Sequence, residues 1–176
     1  MEDDHGNISF NALRNALYHT GRRMTFERWN RWANALVILL GAGAMADVLS
    51  GLGVATVWLS LCVTVTGTMQ LVFDFGGRAR DHQALQRDYY NLLAEIEETP
   101  APDAAALAAW RARMTRIAGD EPPTLRALDA KAYNDAFDAL EFGNEGDRLV
   151  IPRWHRFAGQ FLTFEGYRYP KRSEIE

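Results

Sequence analysis

Hydrophobic positions along this chain fall into two patterns, and the patterns divide it. Residues 33–73 form an apolar run in which Asp47 is the only charged side chain. A helix crosses a bilayer with about 20 mostly apolar residues, at 1.5 Å of rise each, so the run is too long for one span and suits two. The segment Asp47-Val48-Leu49-Ser50-Gly51-Leu52-Gly53 holds the charge, two glycines and a serine, and marks the turn between them. The run predicts a transmembrane helical hairpin, with one helix over residues 33–49 and the other over residues 52–75. A buried hairpin in a soluble helical core is the competing reading. Such a core helix normally keeps a polar face, and no Lys, Arg or Glu occurs here on any side.

Elsewhere, apolar residues recur at helical spacing among charged ones. Phe10, Leu13, Leu17 and Met24 follow an a/d-like pattern, with Thr20 its weak position, and only the isolated Gly21 interrupts the approach to the first span. A helix running from about Ile8 into the membrane is expected. Gly76-Gly77 offers a flexible joint after the second span, and residues 78–98 then carry Leu85, Tyr89, Leu92 and Ile96 at spacings of four, three and four. These two juxtamembrane helices are expected to pair as an antiparallel extension of the hairpin. Pro100-Ala101-Pro102 ends that unit, and Asp103 is placed to cap a helix over 104–118. Gly119 and Pro122-Pro123 break it. Thr124 opens a further helix to about Phe142, with Leu125, Leu128, Ala132, Ala136 and Leu140 on one face. Residues 143–147 read as a loop, and Pro152 suits the first turn of a last helix over 152–164. The expected fold is an all-α membrane protein, a two-helix transmembrane hairpin extended by juxtamembrane helices with a small helical cytoplasmic part. Its segments are 1–32, 33–75, 76–98 and 99–176.

Charge refines this picture. The chain has 176 residues and a net charge of −4, which argues against a nucleic-acid binder. Its mean hydropathy is −0.24, because the charge-rich segments outweigh the apolar run. Cys62, the single cysteine, lies within the second span and excludes an intrachain disulfide. The acidic start Met1-Glu2-Asp3-Asp4 does not resemble a cleavable signal peptide. Arg14, Arg22, Arg23, Arg28 and Arg31 precede the first span, Arg78, Arg80 and Arg87 follow the second, and the turn has no basic residue. Basic flanks stay on the cytoplasmic side, so both termini are expected there, in a bacterial inner membrane. Tyr18, Trp29 and Trp32 before the hairpin, with Phe73 and Phe75 after it, fit aromatic residues at headgroup level.

Catalytic and metal chemistry finds no pattern to rest on. His5, His19, His82 and His155 are scattered, with none within four residues of another, and no HExxH, CxxC pair or nucleophile elbow occurs. Nothing calls for a cofactor. Gly41-Ala42-Gly43 superficially resembles half a phosphate loop, but inside the first span it reads as close helix packing. Glu95, Glu97 and Glu98 read as a solvated helix end.

Polar residues within the second span are more informative. Thr56, Ser60, Gly67, Gln70 and Asp74 fall within about 40° of one meridian, and Thr64 about 80° from it, at 100° per residue. Thr66 and Thr68 add hydroxyls, while Leu59, Val63, Leu71 and Val72 are left for lipid or the other helix. Such a stripe would line water in an oligomeric pore, since two spans from one chain cannot enclose a channel. Alternatively, these groups bond backbone carbonyls or the first helix. Asp47 reads as a turn residue, with a ring of carboxylates at the outer mouth as the sharper possibility. Trp154, Phe157, Phe161 and Phe164 share a face of the last predicted helix, accompanied by Arg153 and Arg156. That face suits an amphipathic helix on the inner membrane surface or packing on the juxtamembrane helices.

The basic approach ALYHTGRRMTF at 16–26, Asn34 before LVILLG at 36–41, Asp81-His82 with Leu85, Tyr89, Leu92 and Glu95-Ile96, and the closing RLVIPRWHRF at 148–157 carry a family resemblance. Over nearly its full length the chain resembles the SLATT family, the two-transmembrane effector domains associated with bacterial nucleotide-synthase and nucleotide-sensor systems. The resemblance implies a homo-oligomeric pore that kills or arrests an infected cell as an antiphage defence. No sensor or synthase domain is fused here, so the resemblance implies a separate partner of that kind, or a signal bound directly by the cytoplasmic part. A membrane-anchored scaffold that recruits a cytosolic partner without conducting is the reading from another class.

Overall fold

The computed structural model describes residues 2–50, 54–141 and 143–175. Six α-helices account for most of them: α1 (Glu2–Ser50), α2 (Val54–Phe73), α3 (Phe75–Glu97), α4 (Ala104–Gly119), α5 (Arg126–Ala139) and α6 (Arg153–Ala158). Two single 3₁₀ turns, Glu145–Asp147 and Arg172–Glu174, complete the list, and among the described residues there is no strand beyond one isolated bridge between Leu149 and Lys171. The all-helical expectation holds. The chain divides into two compact units, a helical unit of residues 1–22 and 82–176 and a hairpin unit of residues 23–81.

In the helical unit, the predicted α3 seam is the centre of the core. Leu85, Tyr89, Leu92 and Ile96 are all buried, joined by Ile8, Ala12 and Ala16 of α1 and by Leu107, Trp110 and Ile117 of α4. The α1 stripe differs from the expected one. Ile8, Ala12 and Ala16 face α3, because small alanines let the two backbones approach, whereas Phe10 and Leu13 point to α5 and meet Ala136 and Phe137. Met24, expected to continue the stripe, is exposed. The α5 face is as predicted through Leu125, Leu128, Ala132 and Ala136, but Leu140 is exposed beyond the end of the helix.

Capping explains the helix starts. Asp103 caps α4 as expected, its carboxylate accepting the Ala106 N–H at 2.7 Å. Helix α5 begins at Arg126 rather than Thr124, and its cap is tertiary: the Tyr18 hydroxyl accepts the Leu125 N–H at 3.0 Å. The last helix is a correction. It spans Arg153–Ala158 only, not residues 152–164: the chain turns at Gly159, which packs against Ala127 of α5. A Cβ there would lie 2.8 Å from Ala127 Cβ. Phe161 and Phe164 therefore lie beyond the helix, so the expected four-residue aromatic face does not exist as one helical stripe.

In the hairpin unit, residues 23–50 of α1 run antiparallel to α2. A Cβ at Gly43 would meet Leu59 at 3.7 Å near one end, while Asn34 bonds Gln70 near the other. Gly41 has open space around it, so only Gly43 has the close-packing role expected of the pair. Helix α1 stays helical through Ser50, past the Asp47 position where the turn was expected to begin. The turn positions Gly51, Leu52 and Gly53 and the side chain of Asp47 lie outside the described residues. Among the described residues, one helical stretch, Thr56–Glu97, is long and apolar enough to cross a membrane, and none of its apolar window is buried.

The joint after α2 is also corrected. Gly76-Gly77 is helical, and the break falls at Asp74, which adopts a φ of 40°. The Asp74 carboxylate folds over the start of α3 and accepts the Gly77 N–H at 2.9 Å. A Cβ at 77 would sit 2.0 Å from that carboxylate, so a larger residue there would have to displace the cap.

Candidate functional site

The predicted polar stripe of α2 separates into inward and outward residues. Gln70 turns to α1 and donates to Asn34 Oδ1 at 2.7 Å and to Asn30 Oδ1 at 3.2 Å. Thr56 and Gly67 are half-buried, on the side of α2 that also carries Leu59 and Val63. Ser60 and Thr64 are exposed, and the Thr64 hydroxyl donates to the Ser60 carbonyl at 2.9 Å. Asp74 is occupied as the cap of α3. The reading of six residues on one water-lined stripe therefore reduces, within one copy, to the outward pair Ser60 and Thr64, with exposed Thr68 one turn further. Gln70 therefore faces α1 rather than the outer surface of the helix pair.

At the ends of the hairpin, Trp29 is half-buried and packs edge-on against Phe26 and Phe75, with centroids 6.2 and 5.5 Å away. Trp32 is exposed.

The helical unit contains a polar site that the sequence reading missed. His19 of α1 and His82 of α3, 63 residues apart in the chain, bring their Nδ1 atoms to 2.8 Å inside the core. His19 is fully buried, and its Nε2 lies 3.2 Å from Glu121 Oε1, off the line of a well-aligned hydrogen bond. The Tyr89 hydroxyl donates to the same Glu121 oxygen at 2.5 Å, and the Tyr89 ring stacks on His19 with centroids 5.8 Å apart. Burial raises the Glu121 carboxyl, but its His19 and Tyr89 partners outweigh burial and hold it below the ordinary glutamate value. Burial, and then the bond to Glu121, pushes the Tyr89 hydroxyl far above the ordinary tyrosine value.

A signal for the pair was available. His82 precedes Leu85 by three, extending the seam to 82, 85, 89, 92 and 96, and His19 follows Ala16 by three on the facing helix. Local spacing between histidines could not show this, because the pairing is made by two helices. His19 meets His82 through Nδ1 while its Nε2 lies beside Glu121, so the site reads as a buried polar cluster. Among the described residues no group of three His, Cys, Asp or Glu is arranged to hold a metal.

The C-terminal segment closes over α5. Buried Asn134 pairs with the backbone of Leu149 through bonds of 2.9 and 2.8 Å, and His155 stacks on Phe164 at 3.9 Å while its Nδ1 meets the Tyr169 hydroxyl at 2.8 Å. A cavity of about 380 Å³ beside His155 is lined in part by Lys131, Arg148 and Arg156. Two of these cations are already engaged, Lys131 by Asp135 and Arg148 by Asp138. Trp154, Phe157 and Phe161 face solvent rather than the core. Against protein-family models, curated proteins and solved structures, the chain finds no match.

Proposed function

We propose that the chain is a membrane effector whose hairpin crosses a bacterial inner membrane twice, over residues 33–49 and 52–75, with both termini cytoplasmic. Copies assemble around an axis into a pore that disrupts the membrane on activation, as the resemblance to SLATT effectors implies. One observation carries the reading: the hairpin is apolar and outward-facing over most of its surface, yet α2 keeps Ser60, Thr64 and Thr68 exposed along one edge. Lipid accepts the apolar surface, and an axis shared by several copies gives the hydroxyl edge a water-lined place. Activation comes from a separate sensor or nucleotide-synthase partner, or from a signal bound by the helical unit.

A non-conducting scaffold is the second reading, and a specific observation favours it. Gln70, the most polar member of the stripe, is bonded within the hairpin, and Thr64 satisfies its hydroxyl on its own helix. Sealed hairpins need no more than this.

Ion flux through liposomes, beside oligomer mass in detergent, separates the two. Ser60→Leu and Thr64→Leu are expected to abolish flux while the oligomer persists, because a bulky apolar side chain narrows the lumen and raises the cost of wetting it. Unchanged flux in both variants would remove Ser60 and Thr64 from the lumen. A wild-type oligomer that never conducts under activation would leave the scaffold, and a monomer would remove the pore altogether.

A further inference from the structure

The aromatic face of the C-terminal segment is unexplained by the hairpin. Trp154 and Phe157 of α6 are 61% and 73% exposed, and Phe161 and Leu162 follow them to the surface. This exposure is not fraying, since Ala158 and Tyr169 of the same segment are buried and His155 is held by Phe164 and Tyr169. Large apolar residues held outward on a firm base mark an interaction surface.

Charge identifies the partner. Residues 150–172 contain five basic residues and one acidic one, in a chain whose net charge is −4. Arg168, Lys171 and Arg172 are paired with Glu174, Asp147 and Glu145. Arg153 and Arg156, both exposed and on the same short helix as the aromatics, make no ion pair among the described residues. Across a twofold contact between copies, Arg153 and Arg156 would meet their own counterparts and repel them. An anionic bilayer surface matches both properties, taking aromatic rings at headgroup level and arginines on phosphates.

We propose that Trp154, Phe157, Phe161 and Leu162, with Arg153 and Arg156, dock the helical unit on an anionic phospholipid surface. The proposal rests on the membrane reading above, which brings a bilayer to the chain. The chain then holds the membrane twice, through a permanent span and through a salt-sensitive contact.

The test uses the full chain with Cys62→Ser and Thr163→Cys, an environment-sensitive dye on the exposed position 163, and nanodiscs containing headgroup-quencher lipid. Discs of phosphatidylcholine alone are compared with discs that also contain phosphatidylglycerol. Quenching is expected to be strong only with phosphatidylglycerol and to weaken with added salt. Each arginine near an anionic surface contributes roughly fivefold, so Arg153→Gln with Arg156→Gln should lower the docked-to-free ratio about thirtyfold. Trp154→Ser with Phe157→Ser should also abolish quenching, and an unchanged thermal melt would exclude unfolding as its cause. Equal quenching in both disc types, or none in either, overturns the proposal. So does a dye shift that follows protein density rather than lipid, which would mean a protein covers the face. A chain that enters discs without quenching fails this proposal alone, whereas one that never enters them fails the membrane reading as well.

Discussion

The helical unit and the hairpin unit use the same three- and four-residue spacing and end with opposite surfaces. In the first, Tyr89, Leu92 and Ile96 are fully buried, and Asn91 and Glu95 stand between them. In the second, Ile38 and Leu39 are each 70% exposed and Leu71 is 82% exposed, because the positions between the paired ones are apolar as well. Periodicity selects the face on which two helices meet, and the remaining faces select the solvent. Polar side chains placed in the two contacts also differ in kind. The hairpin keeps neutral amides, Gln70 between Asn30 and Asn34, where the helical unit keeps ionisable groups, His19, His82, Tyr89 and Glu121. The difference fits the membrane reading proposed above, since ionisable groups are tolerable in a core near water and costly in hydrocarbon.

The contrast can be broken most strongly at the seam. Leu92→Ala is expected to destabilise the chain by about 2–5 kcal/mol, from lost burial and the cavity left behind. Circular-dichroism unfolding in detergent measures it, and a cost near zero would show that this seam is not the core.

Glu121→Gln is expected to cost about 1.5–3 kcal/mol, the scale of a hydrogen bond to a charged group. It also carries a pH signature. A glutamate held below its ordinary value contributes stability that is complete above that value and is lost as pH falls through the lowered one. Tyr89, held above its ordinary value, contributes stability that is complete below that value and is lost as pH rises past it. Glu121→Gln should flatten the acid limb of a stability profile and Tyr89→Phe the alkaline limb. An acid limb that survives Glu121→Gln would assign it to another carboxylate.

Within the hairpin, Gln70→Leu should cost about 0.6–1.7 kcal/mol, the range for a polar contact between membrane helices. A double-mutant cycle with Asn34→Leu isolates the shared bond, and additive costs would mean the two do not interact. The smallest effect is expected at Leu39→Ala, within about 0.5 kcal/mol, because the side chain is mostly exposed and has little packing to lose. A core-sized loss there would place Leu39 in contact with another copy.

Much of the fold was legible where one element determined its own pattern. The α3 seam, the Asp103 cap and the interval of α4 follow from apolar spacing and local hydrogen bonding, and the structure keeps them. Features set by two elements were not legible in either alone. The Ala12 and Ala16 face of α1 has little hydrophobic signal, and it is chosen because α3 needs a close neighbour. Helix α6 ends at Gly159, which is a local stop signal, but the Ala127 it lies against cannot be seen in residues 152–164. Asp74 was read as a pore residue from its meridian, although a carboxylate three residues before Gly77 is equally a cap. Spacing along the chain does not show the contact of His19 with His82, because two helices make it between residues 63 apart.

The contact between those two rings fixes where hydrogens sit. Two Nδ1 atoms at 2.8 Å need one bearing a hydrogen and one offering a lone pair, so neutral His19 and His82 must be opposite tautomers. The carboxylate beside His19 Nε2 places the hydrogen there, leaving His19 Nδ1 as the acceptor and His82 Nδ1 as the donor. His82 then donates to His19, whose Nε2 hydrogen lies on the side of Glu121, giving the pair a fixed polarity. Nitrogen-15 chemical shifts would read it directly: an Nε2–H signature for His19 and an Nδ1–H signature for His82, the rarer form in free imidazoles.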